Sequence, residues 1–154
     1  QSRLFAPAYR HKHRGPRSCV SCDGEDQTYC AVAANAFCEE LECDDAQLVP
    51  RSRLERKRNL EPEAAQPPEI FVGRVASGDT VMKSSEHRDK IARKHNVIAF
   101  EMEGAGIWDE IPCIVIKGIS DYADSHKSKV WQRFAAATAA AVAKAVLERY
   151  TRTD

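Results

Sequence analysis

A chain of 154 residues, 43% of them hydrophobic, is long enough for one domain with its own core. Its 23 basic residues balance its 23 acidic residues, so no overall field draws it to nucleic acid or to an anionic membrane. No apolar run approaches the length that spans a bilayer, and the basic start, from Gln1 to Arg14, lacks the apolar core of a signal peptide. We therefore expect a soluble, cytoplasmic protein whose partners include neither nucleic acid nor a membrane.

Composition divides the chain near residue 68. Charge, cysteine and proline are concentrated before this point, and regular apolar patterns follow it. We expect residues 1–68 to be a cysteine-containing, charged insertion or loop region and residues 69–154 to be the folded domain. Within the first part, Cys19 to Cys43 indicates a loop. Val49 to Glu63, dense in arginine, lysine and glutamate, indicates a solvated helix or a disordered segment.

After residue 69 the predicted elements alternate as strand, helix, strand, helix, strand, helix. The strands are Ile70–Gly78, Val97–Phe100 and Cys113–Ile116, and the helices are Glu86–His95, Gly104–Asp109 and Lys129–Tyr150. Four consecutive apolar residues in the third strand predict burial on both faces. This order is typical of an α/β sheet covered by helices, in which sites lie at the carboxyl ends of strands.

Polar side chains follow each predicted strand. Ser77 to Thr80 follow the first strand, Glu101 to Glu103 the second, and Ser120 to Asp124 the third. Because the carboxyl ends of strands in such a sheet meet at one edge, we expect these three ends to come together in one cleft. The simpler alternative is that Asp79 and Asp121 are turn or helix-capping residues, the commonest role of aspartate after a strand. Spacing alone leaves both interpretations open.

Three ordered motifs carry a resemblance to a known family. They are VASGD at residues 75–79, FEMEGAG at residues 100–106 and IKGISDYAD at residues 116–124. In this order and with this spacing they resemble the purine nucleoside phosphorylase and methylthioadenosine nucleosidase family. The segment DYADSHK at residues 121–127, with the WQ pair and the alanine-rich helix that follow, is similar to the fungal members, which often stand at the front of multidomain proteins resembling innate immune sensors. The resemblance extends from about Ile70 to the end of the chain.

The resemblance implies the C-terminal half of a nucleoside phosphorylase-like α/β fold, with a mixed central sheet flanked by helices. It also implies cleavage of the N-glycosidic bond of a purine nucleoside or nucleotide. By the resemblance, Asp121 is the general acid that protonates the base or a hydrogen-bond donor to it, and Ser120 orients Asp121. Glu103 binds the ribose with Met102 against the sugar, and Phe100 lines or stacks in the base pocket, although a core role for Phe100 is equally open. The chemistry agrees, because positive charge develops on the ribose and the departing base needs a proton near N7.

Other residues of the motifs have simpler interpretations. To act as an acid Asp121 must be protonated, which requires a partly buried site that raises its pKa. Glu101 and Asp124 are expected to be structural, the first as a solvated carboxylate and the second as a capping residue. A nucleotide's phosphate chain would meet basic residues that are otherwise ordinary surface groups, namely Lys83, Arg88, Lys117 and Lys127.

The nucleophile end of the site has no counterpart in this sequence. In the family, the phosphate-binding arginines or the water-activating glutamate come largely from the N-terminal half of the domain, which nothing before Ile70 resembles. Gln1 in place of an initial methionine fits a chain cut from a longer protein or processed at its start. The sequence therefore does not separate phosphorolysis from hydrolysis: phosphate is an open co-substrate, and no cofactor is required. We expect a homo-oligomer; the alternative is a non-catalytic nucleoside-sensing or oligomerisation module of a larger fungal immune-receptor-like protein.

The cysteines suggest a separate function. Cys19 and Cys22 form a CxxC pair, and the further ligands of a four-coordinate zinc site are available from His11, His13, Cys30, Cys38 and Cys43. The later cysteines lack the spacing of a zinc ribbon, so free thiols or a set of disulfides are equally open. We expect Cys19 and Cys22 to lie near each other, with zinc possible but not required. A zinc-binding interaction domain over residues 9–48 would account for too little of the chain.

Overall fold

The structure, a computed structural model, describes residues 3–23, 30–65 and 67–150. Its helices are α1 Val20–Asp23, α2 Ala31–Asn35, α3 Ser52–Arg58, α4 Pro62–Ala65, α5 Ser85–His95 and α6 Gln132–Arg149, and its strands are β1 Arg74–Ser77 and β2 Val97–Glu101. Single 3₁₀ turns lie at Gly15–Arg17, Asp45–Gln47 and Gly104–Gly106. None of the described helices combines the length and apolar character that crossing a bilayer requires.

The two strands and α5 form a parallel β-α-β unit. β1 pairs with β2 in a register that brings Ser77 opposite Glu101, so both strands end at the same edge of the sheet. The connecting helix α5 begins after Ser84, whose hydroxyl accepts the backbone N–H of His87 at 3.3 Å. It ends at Asn96, which takes the left-handed conformation with φ 52°. The predicted α/β class is confirmed, and α5 begins and ends within one residue of its predicted bounds.

The strands differ from the sequence-based prediction at two places. β1 begins at Arg74 rather than Ile70, and the preceding Val72 is 99% exposed. The predicted third strand, Cys113–Ile116, is wrong for the described chain, because this segment makes no strand pairing and Ile114 is 73% exposed. An apolar run indicates that a segment tends to be buried. It forms a strand only where a neighbouring strand can pair its backbone hydrogen bonds.

The helix predicted over Gly104–Asp109 is reduced to the 3₁₀ turn Gly104–Gly106 and two further backbone turns, in which Trp108 donates to Gly104 and Ile111 to Ile107. Two glycines in three residues disfavour an α-helix, because they lose more backbone freedom than other residues on folding.

Helix α6 lies very close to the segment that precedes Asp121. A Cβ at Gly118 would come within 2.0 Å of the carbonyl oxygen of Ala135, so only glycine allows this approach of the two backbones. Ala135 is the buried residue of α6, and Lys144 forms an exposed ion pair with Glu148 at 3.6 Å on the opposite side. The alanine-rich sequence therefore serves close packing, as the helical pattern predicts.

The cysteine region is ordered around a small core of its own. Residues 3–23 and 30–50, which we call the N-terminal lobe, contain α1 and α2 where the sequence indicates a loop. The buried residues of this core are Cys22, Ala33 and Leu41. The highly charged segment that follows the lobe forms the exposed helices α3 and α4, which agrees with a solvated helix.

Candidate functional site

The ends of β1 and β2 are joined by hydrogen bonds at the carboxyl edge of the sheet. The N–H of Gly78 donates to the carbonyl of Glu101 at 3.3 Å. The hydroxyl of Ser77 accepts the N–H of Ala105 at 2.7 Å, which attaches the FEMEGAG turn to the first strand. The structure thus brings together two of the three strand ends that the sequence predicts to converge.

Glu101 is the buried carboxylate of this edge, only 8% exposed, and the expectation of a solvated carboxylate is wrong. One of its oxygens accepts the N–H groups of Glu103 and Gly104, both at 2.8 Å. Burial acts to raise its pKa, but hydrogen bonds from the Ser77 hydroxyl and from these two amides outweigh burial and hold the pKa below its ordinary value. Glu101 therefore fixes the turn that carries Glu103, which agrees with the structural role expected for it.

Glu103 projects from this turn into solvent. Its side chain is 68% exposed and forms an ion pair of 2.6 Å with the ammonium group of Lys117. The hydrogen bond and charge of Lys117 lower the pKa of Glu103 to about 2. Met102 beside it is 42% exposed, and Phe100 lies half-buried in β2. Glu103 is therefore an anionic, accessible acceptor at neutral pH, as a group that binds hydroxyls must be.

Asp121 lies in a cavity of about 170 Å³, with 17% of its side chain exposed. One carboxyl oxygen accepts the hydroxyl of Ser120 at 3.0 Å, and the other accepts the N–H of Ala123 at 2.9 Å. The ammonium group of Lys127 lies 3.9 Å from the first oxygen. Ser120 contacts Asp121 as the resemblance implies. The bond to Ala123 is the turn-capping role of the simpler interpretation, so both roles coexist in one side chain.

The cavity is lined from two distant parts of the chain. Ser120, Asp121 and the residues after them form one wall; the described N-terminal lobe forms the other through Arg3, His11, Ala36, Phe37, Cys38 and Glu39. Glu103, Met102 and Phe100 lie outside this lining in the part of the chain that the structure describes. The ion pair between Glu103 and Lys117 connects their turn to the segment that leads to Asp121.

Two buried groups, Asp124 and His126, lie next to Asp121 in the lining of the cavity. Asp124 is 1% exposed; one oxygen accepts the N–H of His126 at 3.0 Å, and Arg88 lies 4.0 Å from the other. The expected capping role of Asp124 agrees with this geometry. Burial, the largest influence, raises the pKa of Asp124. His126 stacks on Phe5 with ring centroids 4.2 Å apart, a contact across the whole chain that leaves no local sequence signal.

The basic residues proposed for a phosphate chain already have protein partners. Arg88 donates to the carbonyl of Tyr122 at 2.6 Å and pairs with Asp89, while Lys117 and Lys127 face Glu103 and Asp121. A phosphate group would have to displace or share these contacts.

The cysteine cluster offers ligands for a metal. The structure brings Cys19 and Cys22 together with His13 and Cys30, and all four ligand atoms lie within 4.8 Å of one another. A second group of three consists of His11, Cys38 and Cys43.

Comparison with known proteins identifies the family. The model of the phosphorylase superfamily matches residues 8–152, which includes most of the N-terminal lobe. Over 80 residues, 52% of the chain, the sequence is 50% identical to a nucleotide-binding leucine-rich repeat (NLR)-like protein of Hyaloscypha variabilis, and the aligned part is 8% of that relative. No solved structure matches the chain. With a family match over nearly its whole length, the chain belongs to the phosphorylase superfamily.

Proposed function

We propose that the chain takes part in cleaving the N-glycosidic bond of a purine nucleoside or nucleotide, with Asp121 as proton donor to the base and Glu103 as ribose ligand. Membership of the phosphorylase superfamily supports this general type of activity. The observation that carries the proposal is the carboxyl group of Asp121, which lies in a cavity and is oriented by Ser120 and Ala123.

The proposed step breaks the bond between C1′ of the ribose and N9 of the purine. The bonding electron pair leaves with the base, and the proton of the Asp121 carboxyl group passes to N7. An oxygen of phosphate, or of water that releases one proton to solvent, forms the new bond to C1′, and the carboxylate of Asp121 is reprotonated from solvent. Glu103 supplies negative charge beside the sugar as its cationic character develops, once its contact with Lys117 gives way to the ribose hydroxyls.

The described residues account for part of a complete site. A cavity of about 170 Å³ is smaller than the 300 Å³ or more that small-molecule sites usually have, as an order of magnitude. Large apolar side chains are exposed around the sheet and α6, among them Ile70, Val72, Ile114 and Leu147. Exposed apolar surface of this extent is typical of a face that another part of the protein covers. We propose that the N-terminal half of the domain, in a longer cytoplasmic protein, covers this apolar surface. The same half would supply the nucleophile end of the site.

The test is release of free base by the purified longer protein that includes the N-terminal half of the domain, because the isolated chain is expected to be inactive without it. Adenosine, inosine and ATP are incubated with and without phosphate, and adenine or hypoxanthine is separated by chromatography. Asp121→Asn should lower kcat by about 100-fold or more and leave KM nearly unchanged, because the amide cannot deliver a proton. Glu103→Gln should damage both parameters, because it removes the charge that faces the sugar in ground state and transition state.

The matched control is Asp109→Asn, which removes an exposed carboxylate of the same size outside the cavity and should leave turnover unchanged. Near-normal turnover by Asp121→Asn would show that another group protonates the base. Dependence on phosphate would identify a phosphorylase, and independence a nucleosidase.

A non-catalytic role is the second candidate, and one comparison favours it. The relative named NLR-like is far longer than the matched segment, which fits a sensing or oligomerisation module within a receptor-like protein. In that case the purified protein binds a purine nucleoside or nucleotide, or forms a homo-oligomer, without releasing base. Equilibrium dialysis with radiolabelled adenosine and sedimentation analysis separate this role from catalysis.

A further inference from the structure

We propose that the N-terminal lobe holds one structural zinc ion, bound by the Nδ1 atom of His13 and the thiolates of Cys19, Cys22 and Cys30. The ion takes no part in the proposed cleavage chemistry, and its binding is testable whether or not that reaction occurs.

Four of the six distances among the ligand atoms are close to the edges of a tetrahedral metal site, and the other two lie within 4.8 Å. The Nδ1 atom of His13 lies 3.4 Å from the sulfur of Cys22, 3.5 Å from that of Cys19 and 3.8 Å from that of Cys30. The sulfurs of Cys19 and Cys30 are 3.9 Å apart. Zinc bonds of about 2.3 Å to sulfur and about 2.0 Å to nitrogen give tetrahedron edges of about 3.8 Å between sulfurs and about 3.6 Å between sulfur and nitrogen.

Disulfides do not explain this arrangement. All six cysteines are free, and 3.9 Å between the sulfurs of Cys19 and Cys30 is nearly twice the length of about 2.05 Å of a disulfide bond. Three thiols and one imidazole within 4.8 Å of one another match the preference of zinc for Cys₃His sites.

The local backbone positions the thiols for this role. The N–H of Cys22 donates to the carbonyl of Cys19 at 2.8 Å, so the CxxC segment turns and places both sulfurs on one side. The sulfur of Cys22 also accepts the N–H of His13 at 3.3 Å, and the sulfur of Cys30 accepts the N–H of Ala33 at 3.5 Å. Such N–H to sulfur hydrogen bonds orient metal-bound thiolates and stabilise their charge.

The lobe has only a small core that a metal link would supplement. Its hydrophobic core consists of Cys22, Ala33 and Leu41, with four partly buried residues around them. A core of this size provides little stability, and small lobes commonly rely on a metal for the remainder. The four ligands come from the segments around residues 13, 19–22 and 30, which one ion would join.

The ion would also support the wall of the Asp121 cavity. Helix α2 follows Cys30, and directly after α2 lie Ala36, Phe37 and Cys38, which line the cavity opposite Asp121. Four protein ligands leave no open position for water or substrate, so the zinc is structural rather than catalytic. The second group, His11, Cys38 and Cys43, offers three ligand atoms, one short of such a closed site.

The test measures metal content and ligand set together. The full chain is purified with zinc supplied, and bound zinc is determined by mass spectrometry; we expect about one ion per chain to survive dialysis. Cobalt(II) exchanged for zinc should give the strong visible bands of tetrahedral cobalt and a charge-transfer band of three thiolates. Cys19→Ser with Cys22→Ser should lower bound zinc about tenfold and abolish that band.

Three further variants keep the result interpretable if the double variant folds poorly. His13→Cys should retain the metal and raise the charge-transfer band by about one third, because four thiolates replace three. Cys38→Ser with Cys43→Ser, and Cys113→Ser alone, should leave both the zinc content and the band unchanged. The proposal is overturned if wild-type protein purified with zinc contains none and its thiols alkylate freely, or if the metal persists in the Cys19 and Cys22 double variant.

Discussion

The carboxylate of Glu101 accepts the N–H of Gly104 at 2.8 Å and lies so close that a Cβ at position 104 would come within 2.6 Å of its second oxygen. We predict that Gly104→Ala forces the buried carboxylate away from the turn and destabilises the protein by about 1–3 kcal/mol, measured by urea unfolding. Gly106→Ala is the matched control, because a Cβ there meets no described atom within 4 Å. Equal stability of the two variants would show that the turn adjusts without loss.

The ion pair between Glu103 and Lys117 should keep the carboxyl group of Glu103 ionised at a lower pH than that of an ordinary glutamate. Its pKa of about 2 keeps the carboxylate charged at pH 4. Lys117→Met removes the largest cause of that shift, so we predict that the pKa rises toward the ordinary value of about 4.3, followed by NMR of labelled glutamate carboxyl carbons. Lys144→Met, which breaks the exposed pair with Glu148, should leave the titration of Glu103 unchanged. An unchanged titration in Lys117→Met would rule out the ion pair as its cause.

His126 should make stability depend on pH. It is 8% exposed, and burial, followed by the charges of His11 and Arg14, lowers its pKa from 6.5 to about 3. The unfolded chain therefore takes up the proton near pH 6.5 while the native protein does not, and stability falls as the pH decreases from about 6.5 toward 3.

The test is His126→Phe, which keeps an aromatic ring against Phe5 and removes the titrating group. We predict that the Tm of this variant, measured by calorimetry, falls by about 5 °C less between pH 7 and pH 4 than the Tm of wild type does. His87→Gln, at an exposed position of α5, should retain the wild-type slope. A wild-type slope in His126→Phe would place the pH dependence elsewhere.

How far the sequence predicted the structure depends on the range of each interaction. Helix α5 was predictable, because Ser84 and Asn96 mark its ends with local chemistry. The burial of Glu101 was not, because a charged residue after a strand is usually solvated and its hydrogen-bond partners become evident only in three dimensions. The third predicted strand shows the same limit. Its apolar residues indicate a tendency toward burial, but the tertiary fold determines which element packs against them.

Among the site residues, Ser120 and Asp121 were predicted to be in contact and are. That prediction rested on a motif of adjacent residues, whereas the cavity wall opposite them comes from positions about 80 or more residues earlier. Convergence of Glu103 and Asp121 in one cleft stays a prediction, because the residues of the FEMEGAG turn lie outside the described cavity lining.

Gly118 should be intolerant of any side chain. Its missing Cβ leaves space for the backbone of Ala135 in α6, whose carbonyl carbon would be 2.6 Å from that atom. We predict that Gly118→Ala costs about 2 kcal/mol or more, because two backbones must separate, and that it lowers Tm in differential scanning fluorimetry. Gly78→Ala, where a Cβ meets no described atom within 4 Å, should be nearly neutral for stability. Similar Tm values for both variants would contradict the tight contact.

The loop after Asp121 is held by the opposite end of the chain. The N–H of His11 donates to the hydroxyl of Ser125 at 3.1 Å across 114 positions, and Arg51 donates to the hydroxyl of Tyr122 across 71. Contacts of such separation form slowly, because the intervening chain must first lose its freedom. The β-α-β unit, built from nearby residues, can assemble early, while the Asp121 loop must wait for the N-terminal lobe. We therefore expect the Asp121 cavity to be among the last features that the folding chain completes.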